Sequence, residues 1–335
     1  MISRRKSLQW LTAVSAIAGL AALVAAPSAN AQAFPTKPVR LVVPFPPGNA
    51  SDVAARVLAD KLAQRIGQPV VVENKAGAAG ALGAEFVAKA APDGHTLMIT
   101  SLSPIVISPH IAKTLPYDAL KDFVPVARVG YTGMILVVPT SFPVNTVPEL
   151  IAYAKNNPGK LSYASVGAGT LSMLTMEVFK KSTQLDILHV PYKGSAQAMT
   201  DLIGGTIPLM FDGMTSSYSH VKAGKLKALA ISAGKRSELA PEIPTLRDTG
   251  ISSLLDVSVD GWTGIFAPTG TSPAVVAYLN QEINKVIEDA DFKRRANAQS
   301  LDVYAPATPA QFQEYVRSEH TRWGNVIRPL KLESN

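Results

Sequence analysis

Pro44-Phe45-Pro46-Pro47-Gly48-Asn49-Ala50-Ser51-Asp52 is the stretch whose reading decides the fold. Ahead of it, Val39, Leu41, Val42 and Val43 have the near-continuous apolar character of a strand buried on both faces. Behind it, from Asp52 to Ile66, the apolar residues Val53, Val57, Leu58, Leu62 and Ile66 recur at helical spacing, and Gly67 and Pro69 supply stop signals. The first N–H groups of such a helix lack intrahelical partners and form a partially positive end. A helix emerging from a glycine-containing loop can therefore hold a carboxylate or phosphate without any basic side chain. The same residues also read as a plain strand-to-helix turn capped by Ser51 or Asp52.

Outward from this loop the pattern continues as strand, helix and strand. Pro69 to Asn74 is β-rich, residues 82–90 read as helical, and Thr96 to Thr100 form a third strand, which gives a βαβαβ unit and a parallel doubly wound lobe. Prolines interrupt residues 101–128 so often that only a loop-rich connection is expected. Met134 to Val138 then opens a second series. A strand at Lys160 to Ser165, the glycine loop Val166-Gly167-Ala168-Gly169-Thr170 and a helix from Leu171 to Lys181 repeat the opening motif. Further strands are expected at 187–190, 207–211 and 226–231, and helices at 195–203 and 216–223. The chain should cross back at Trp262 to Pro268 and finish with helices at 273–289 and 308–326. The α/β architecture expected is two doubly wound lobes, residues 34–133 with 262–335 and residues 134–261, with a hinge and a ligand cleft between them.

Residues 1–33 read as a signal peptide. Arg4, Arg5 and Lys6 begin it, Leu11 to Val24 form a short apolar centre, and Ala29-Asn30-Ala31 and Ala31-Gln32-Ala33 are two overlapping cleavage signals. Ser3 to Leu8 also approximates a twin-arginine signal with Ser7 in place of the bulky residue, so the general secretory and twin-arginine routes both stay open. Removing this segment takes away three basic and no acidic side chains and lowers the net charge from +7 to +4. Lys and Arg are scattered, with no basic run and no interleaved aromatic platform, which argues against a nucleic-acid partner. With no cysteine there is no disulfide framework and no thiolate metal site. The five histidines are dispersed without metal-ligand spacing, and no metal or other cofactor is expected.

Taken in order, Phe34 to Arg40, Val42-Val43-Pro44-Phe45 with Gly48 and Asp52, Glu73 to Ala78, Pro92 to Leu97, His189 to Gly194, and Pro244-Thr245-Leu246 with Gly250 closely resemble the tripartite tricarboxylate transporter substrate-binding proteins, the Bug family. The resemblance runs from about 34 to 325. It implies a type II periplasmic binding-protein fold, a two-lobed monomeric clamp that captures a small carboxylate and delivers it to transporter membrane subunits. It also implies that two loops grip the carboxylate through backbone N–H groups and hydroxyls. The first is Phe45 to Asp52, with Phe45, Pro47, Gly48, Asn49, Ser51 and Asp52 as candidates. The second is Ser165 to Ser172, with Ser165, Gly167, Ala168, Gly169, Thr170 and Ser172. This chain departs from the family where a glycine pair becomes Gly48-Asn49 and where Met173 replaces a common histidine.

Asp52 would repel an anion if it faced one, so a cap that braces its loop is the favoured role. Tyr192 follows a strand end, where it either faces the cleft, as residues at such ends do, or serves a local turn, and Asp212 either receives an amino group or braces a loop. Phe45 either stacks beneath a planar ligand or packs in the core. Two charge-assisted hydrogen bonds from one loop supply about 3 kcal/mol, whereas micromolar capture needs about 8 kcal/mol, so both loops and the ligand's carbon skeleton must contribute. Rival readings are a ligand sensor built on the same clamp and a periplasmic carboxylate enzyme. A nicotinamide enzyme is disfavoured because Ser172 stands where the dinucleotide fingerprint wants Gly or Ala. No G-x-S-x-G elbow is present to supply a hydrolase nucleophile.

Overall fold

The first strand, β1 (Val39–Val43), is buried at every position but Arg40, as its apolar run requires. The helix that follows, α1 (Ala50–Ile66), is capped by Asn49 and not by Ser51 or Asp52: Asn49 Oδ1 accepts a hydrogen bond from the Asp52 N–H at 2.9 Å. The helix begins two residues ahead of the apolar periodicity because local hydrogen bonding, not the apolar stripe, sets its first turn. Next come β2 (Val70–Asn74), α2 (Ala81–Ala88) and β3 (Thr96–Ser101), with β1 paired in parallel to β2 on one side and β3 on the other. The computed structural model describes residues 34–255 and 259–330; the expected signal peptide and the tail at 331–335 lie outside the described residues.

The loop-rich connection expected after β3 is more ordered than its prolines suggest. Ser103–Ile107 winds into a wide π-type turn that runs into the short helix Ser108–Ile111, and β4 (Phe123–Pro139) begins well before the apolar run at Met134. The opening pattern then repeats through α3 (Val147–Asn156), β5 (Ser162–Ser165), α4 (Leu171–Thr183), β6 (Leu188–Pro191), α5 (Ser195–Ile203), β7 (Leu209–Gly213), α6 (Met214–Lys222) and β8 (Leu226–Ile231). Here β5 pairs in parallel with both β6 and β7. The return strand β9 (Asp260–Pro268) lies antiparallel between β3 and β4. Its register against β4 shifts between Pro125 and Ala127, an irregularity that lets a proline sit in a long strand.

After β9 come α7 (Pro273–Glu288), α8 (Ala290–Ala298), β10 (Asp302–Val303) and α9 (Pro309–Ile327). Asp289 closes α7 and caps α8, accepting from the Phe292 N–H at 2.9 Å, a break that the apolar spacing does not announce. The strand order is β2-β1-β3-β9-β4-β7-β5-β6, with β8 and β10 also paired to β4. β4 is thus the seam of the molecule. Residues up to Gly133 pair with β9, and from Met134 onward the strand pairs with β7 and β8. On the β9 side, Trp262 meets Phe312 edge-on at 5.9 Å and seats α9. Gly264 makes that seat possible, since a Cβ there would lie 2.3 Å from Phe312 Cζ.

Candidate functional site

The first loop is held from beneath by one carboxylate. Asp52 is 3% exposed, and its oxygens accept from the Gly48 N–H at 2.9 Å, from Asn74 Nδ2 at 2.9 Å and from Arg56 Nε at 3.0 Å. Burial alone would raise this carboxyl, but the hydrogen bonds from Arg56, Gly48 and Asn74 and the Arg56 charge hold it below the usual carboxylate range. Asn74 also donates to the Phe45 carbonyl at 3.0 Å, so β2 and α1 together fix the loop's path. Gly48 takes φ +91°, a left-handed conformation that favours glycine, and Asn49, at φ −84°, supplies a capping acceptor. With Asn49 capping the helix and Asp52 bracing Gly48, the Ser51 hydroxyl is left over: it is 1% exposed and has no hydrogen-bond partner among the described residues.

The second loop is braced by its own hydroxyls. Ser165 is fully buried, with Oγ 2.7 Å from His189 Nε2, and it accepts from the Gly167 N–H at 3.1 Å. Thr170 donates to the Gly167 carbonyl at 2.7 Å and its oxygen accepts no N–H of the helix it precedes, and Ser172 donates to the Phe211 carbonyl at 2.5 Å. Met173 has a defined task as well, its Sδ accepting the Gly169 N–H at 3.3 Å. Burial lowers His189 from its ordinary value of 6.5, with Lys180 acting in the same direction and Glu177 opposing it. A histidine whose folded pKa lies below its unfolded one destabilises the fold as pH drops below the unfolded value. Stability should therefore decline as pH falls from about 6.5, and His189→Gln should flatten that decline in melting curves taken between about pH 7.5 and pH 5.

These loops meet around a cavity of about 90 Å³. Its walls include Phe45, Asn49, Ala50 and Ser51 from the first loop and Thr170, Leu171 and Ser172 from the second. Segments that sequence reasoning missed complete it: Ser101, Ser103, Thr132, Met134, Ser195, Thr215, Ser216 and Gly261. The two sides touch where the Leu171 N–H donates to Ser103 Oγ at 3.2 Å. Pro47 and Gly48 line an adjoining groove, and Gly167, Ala168, Gly169 and Tyr192 line another. Tyr192 turns its hydroxyl to Asp201 at 2.8 Å. Asp52 and Ser165 lie behind the loops, outside the cavity wall.

The first turns of α1, α4, α5 and α6 all contribute to this wall, and no Lys, Arg or His does among the described residues. Asp212 occupies the positive ends of two of these helices, accepting from Ser195 Oγ at 2.8 Å and Ser216 Oγ at 2.6 Å. Burial pushes its carboxyl up, and the two hydroxyls oppose that shift. Of the other two helices, α4 has no acidic side chain in its first turn, whereas α1 carries Asp52 there, paired with Arg56. Asp212 therefore braces the junction of α5 and α6 and lines the cavity at once.

The family model described as "Tripartite tricarboxylate transporter family receptor" matches residues 54–332. The chain is similar to the protein BugT of Bordetella pertussis, 36% identical over 314 residues that cover 93% of this chain and 94% of BugT. Among solved structures it is similar to Rpa4515 of R. palustris with adipate, with a TM-score of 0.85, 31% identity, and coverage of 90% of this chain and 99% of that one. It is also similar to MatC of Rhodopseudomonas palustris with bound malate, with a TM-score of 0.82, 32% identity, and coverage of 88% and 100%.

Proposed function

This chain belongs to the tripartite tricarboxylate transporter receptor family, and from that premise we propose that it is a periplasmic receptor that captures a small carboxylate and delivers it to the family's membrane subunits. The observation that carries the reading is the cavity wall, where, among the described residues, helix N-termini and the unpartnered Ser51 hydroxyl converge without a basic side chain. Adipate and malate in related receptors support the carboxylate class. The lobes of this monomeric clamp are residues 34–133 with 262–335 and residues 134–261, a division that fits the change of partners along β4 at Gly133 and Met134. Residues 1–33 direct export and are removed. The Ser165–His189 contact resembles a nucleophile–base pair but serves a structural role, because Ser165 is fully buried and stands outside the cavity wall. The family and its solved relatives are receptors rather than enzymes.

Thermal unfolding of refolded mature protein tests the reading. A carboxylate at about 100 times its dissociation constant should stabilise the fold by about 2.7 kcal/mol. If no carboxylate shifts the transition of natively refolded protein, the reading fails. Ser51→Ala should weaken the active carboxylate about tenfold in calorimetry, the equivalent of one charge-assisted hydrogen bond, while leaving the denaturant midpoint in place. The midpoint should hold because the hydroxyl has no protein partner to lose among the described residues.

A further inference from the structure

Ser103 opens the π-type turn Ser103–Ile107, which is pinned from behind: the buried Tyr117 hydroxyl donates to the Pro104 carbonyl at 2.8 Å, and the Val106 N–H donates to the Leu102 carbonyl at 2.7 Å. Single π-type turns are rare and gather at functional sites. From this fixed base Ser103, 2% exposed, lines the cavity, and its Oγ accepts the Leu171 N–H at 3.2 Å. Leu171 is the first residue of α4, so this N–H is one that the helix cannot satisfy itself, and the Thr170 side chain accepts none of its kind. A serine hydroxyl can accept and donate at once. Among the described residues Ser103 Oγ accepts this bond and donates none, which leaves its proton for whatever fills the cavity. Two further approaches across the cleft are apolar. A Cβ at Gly169 would lie 3.6 Å from Ala79 Cβ, and one at Gly194 would lie 3.4 Å from Pro46 Cγ. Contacts of that kind do not change in strength when an anion arrives.

Resting on the carboxylate reading and the lobe division proposed above, we infer that Ser103 couples capture to closure: its hydroxyl donates to the bound carboxylate while its oxygen holds the Leu171 N–H. One side chain of the first lobe thereby joins the ligand to the second lobe. Donation to an anion polarises the hydroxyl and makes its oxygen a stronger acceptor, so each bond strengthens the other. The ligand then favours the closed clamp by its differential affinity for it. Ser51 grips without this effect, because its hydroxyl has no bond to the second lobe among the described residues.

Calorimetry and small-angle X-ray scattering of the mature protein with malate, adipate, citrate and benzoate test this coupling, the tightest-binding acid of the four being carried into the variants. Saturating acid should make the wild-type protein more compact. Ser103→Ala should bind that acid at least tenfold more weakly, the loss of one charge-assisted hydrogen bond, and should stay less compact than wild type even when saturated. Ser51→Ala should lose affinity to a similar degree and yet reach full compaction, which separates a lost grip from a lost link between the lobes. Ser103→Thr keeps the hydroxyl and should recover part of both losses. Wild-type affinity in Ser103→Ala, full compaction of its saturated form, or binding that leaves the wild-type dimensions unchanged would overturn the coupling while leaving the carboxylate receptor in place. Failure of every acid to bind wild-type protein would overturn both.

Discussion

Replacing Asp52 with alanine is expected to lower the unfolding free energy by about 3 kcal/mol and to weaken carboxylate binding more than tenfold. The change takes a buried acceptor from the Gly48 N–H and from the Asn74 amide, which then keeps only its bond to the Phe45 carbonyl. The Arg56 side chain is half exposed and can be resolvated, which keeps the loss near the lower end for a broken buried pair. Gly48, held at φ +91° by its bond to Asp52, is then free to relax, and the helix terminus on the cavity wall loses its fixed direction. Asp52→Asn keeps the shape and one acceptor and should fall about midway between wild type and alanine. The pH dependence supplies an independent check. A carboxyl held below its ordinary 3.8 stabilises the fold above that value, and the stabilisation is lost as pH falls through the folded pKa. The alanine variant should lack this share of the acid limb in urea titrations at about pH 7 and pH 3. Wild-type stability and affinity in Asp52→Ala would show that the loop is held by something else.

What the sequence could and could not reveal follows from how local each signal is. The strand, glycine loop and helix at 39–66 and again at 161–183 are specified by neighbours in the chain, through apolar periodicity and glycines that tolerate positive φ, so both loops are legible in the order of residues alone. Which hydroxyl lines the cavity is not local. Ser51 reads as a cap until Asn49 is seen to take that role, and Ser165 reads as a contact until its oxygen is found between Gly167 and His189. The rest of the wall comes from Ser103, Thr132, Ser195 and Thr215, which lie far apart in sequence and have no shared motif. Ser101 and Gly213 at least close parallel strands, the positions where clefts of such sheets form. The long seam strand was hidden for a similar reason. A proline at 125 argues against a strand, and only the register shift against β9 accommodates it.

Gly83→Val is expected to destabilise the fold by about 4 kcal/mol and to weaken ligand capture, although Gly83 touches no part of the cavity wall. A Cβ on Gly83 would lie 2.7 Å from Pro44 Cα and 2.8 Å from the Lys75 carbonyl oxygen, and both are backbone atoms with no rotamer to swing aside. Those two strand ends are tied together, since the Lys75 N–H donates to the Val43 carbonyl at 2.8 Å. To admit the side chain, either α2 must back away from the sheet or Pro44 must move and carry the first loop with it. In the first case Phe45, packed against Gly80 at the N-terminal end of α2, loses its support; in the second, Asn49 and Ser51 shift directly. Both routes disturb the same helix terminus, so stability and affinity should fall together. Gly48→Ala separates the two effects. A Cβ at Gly48 would have no atom within 4 Å, so only the left-handed backbone is penalised, by about 1 kcal/mol. Denaturant midpoints and calorimetric affinities for both variants test the argument. If Gly83→Val binds with wild-type affinity while losing stability, the first loop does not rely on α2 for its position, and its geometry is set by Asp52 and Asn74 alone.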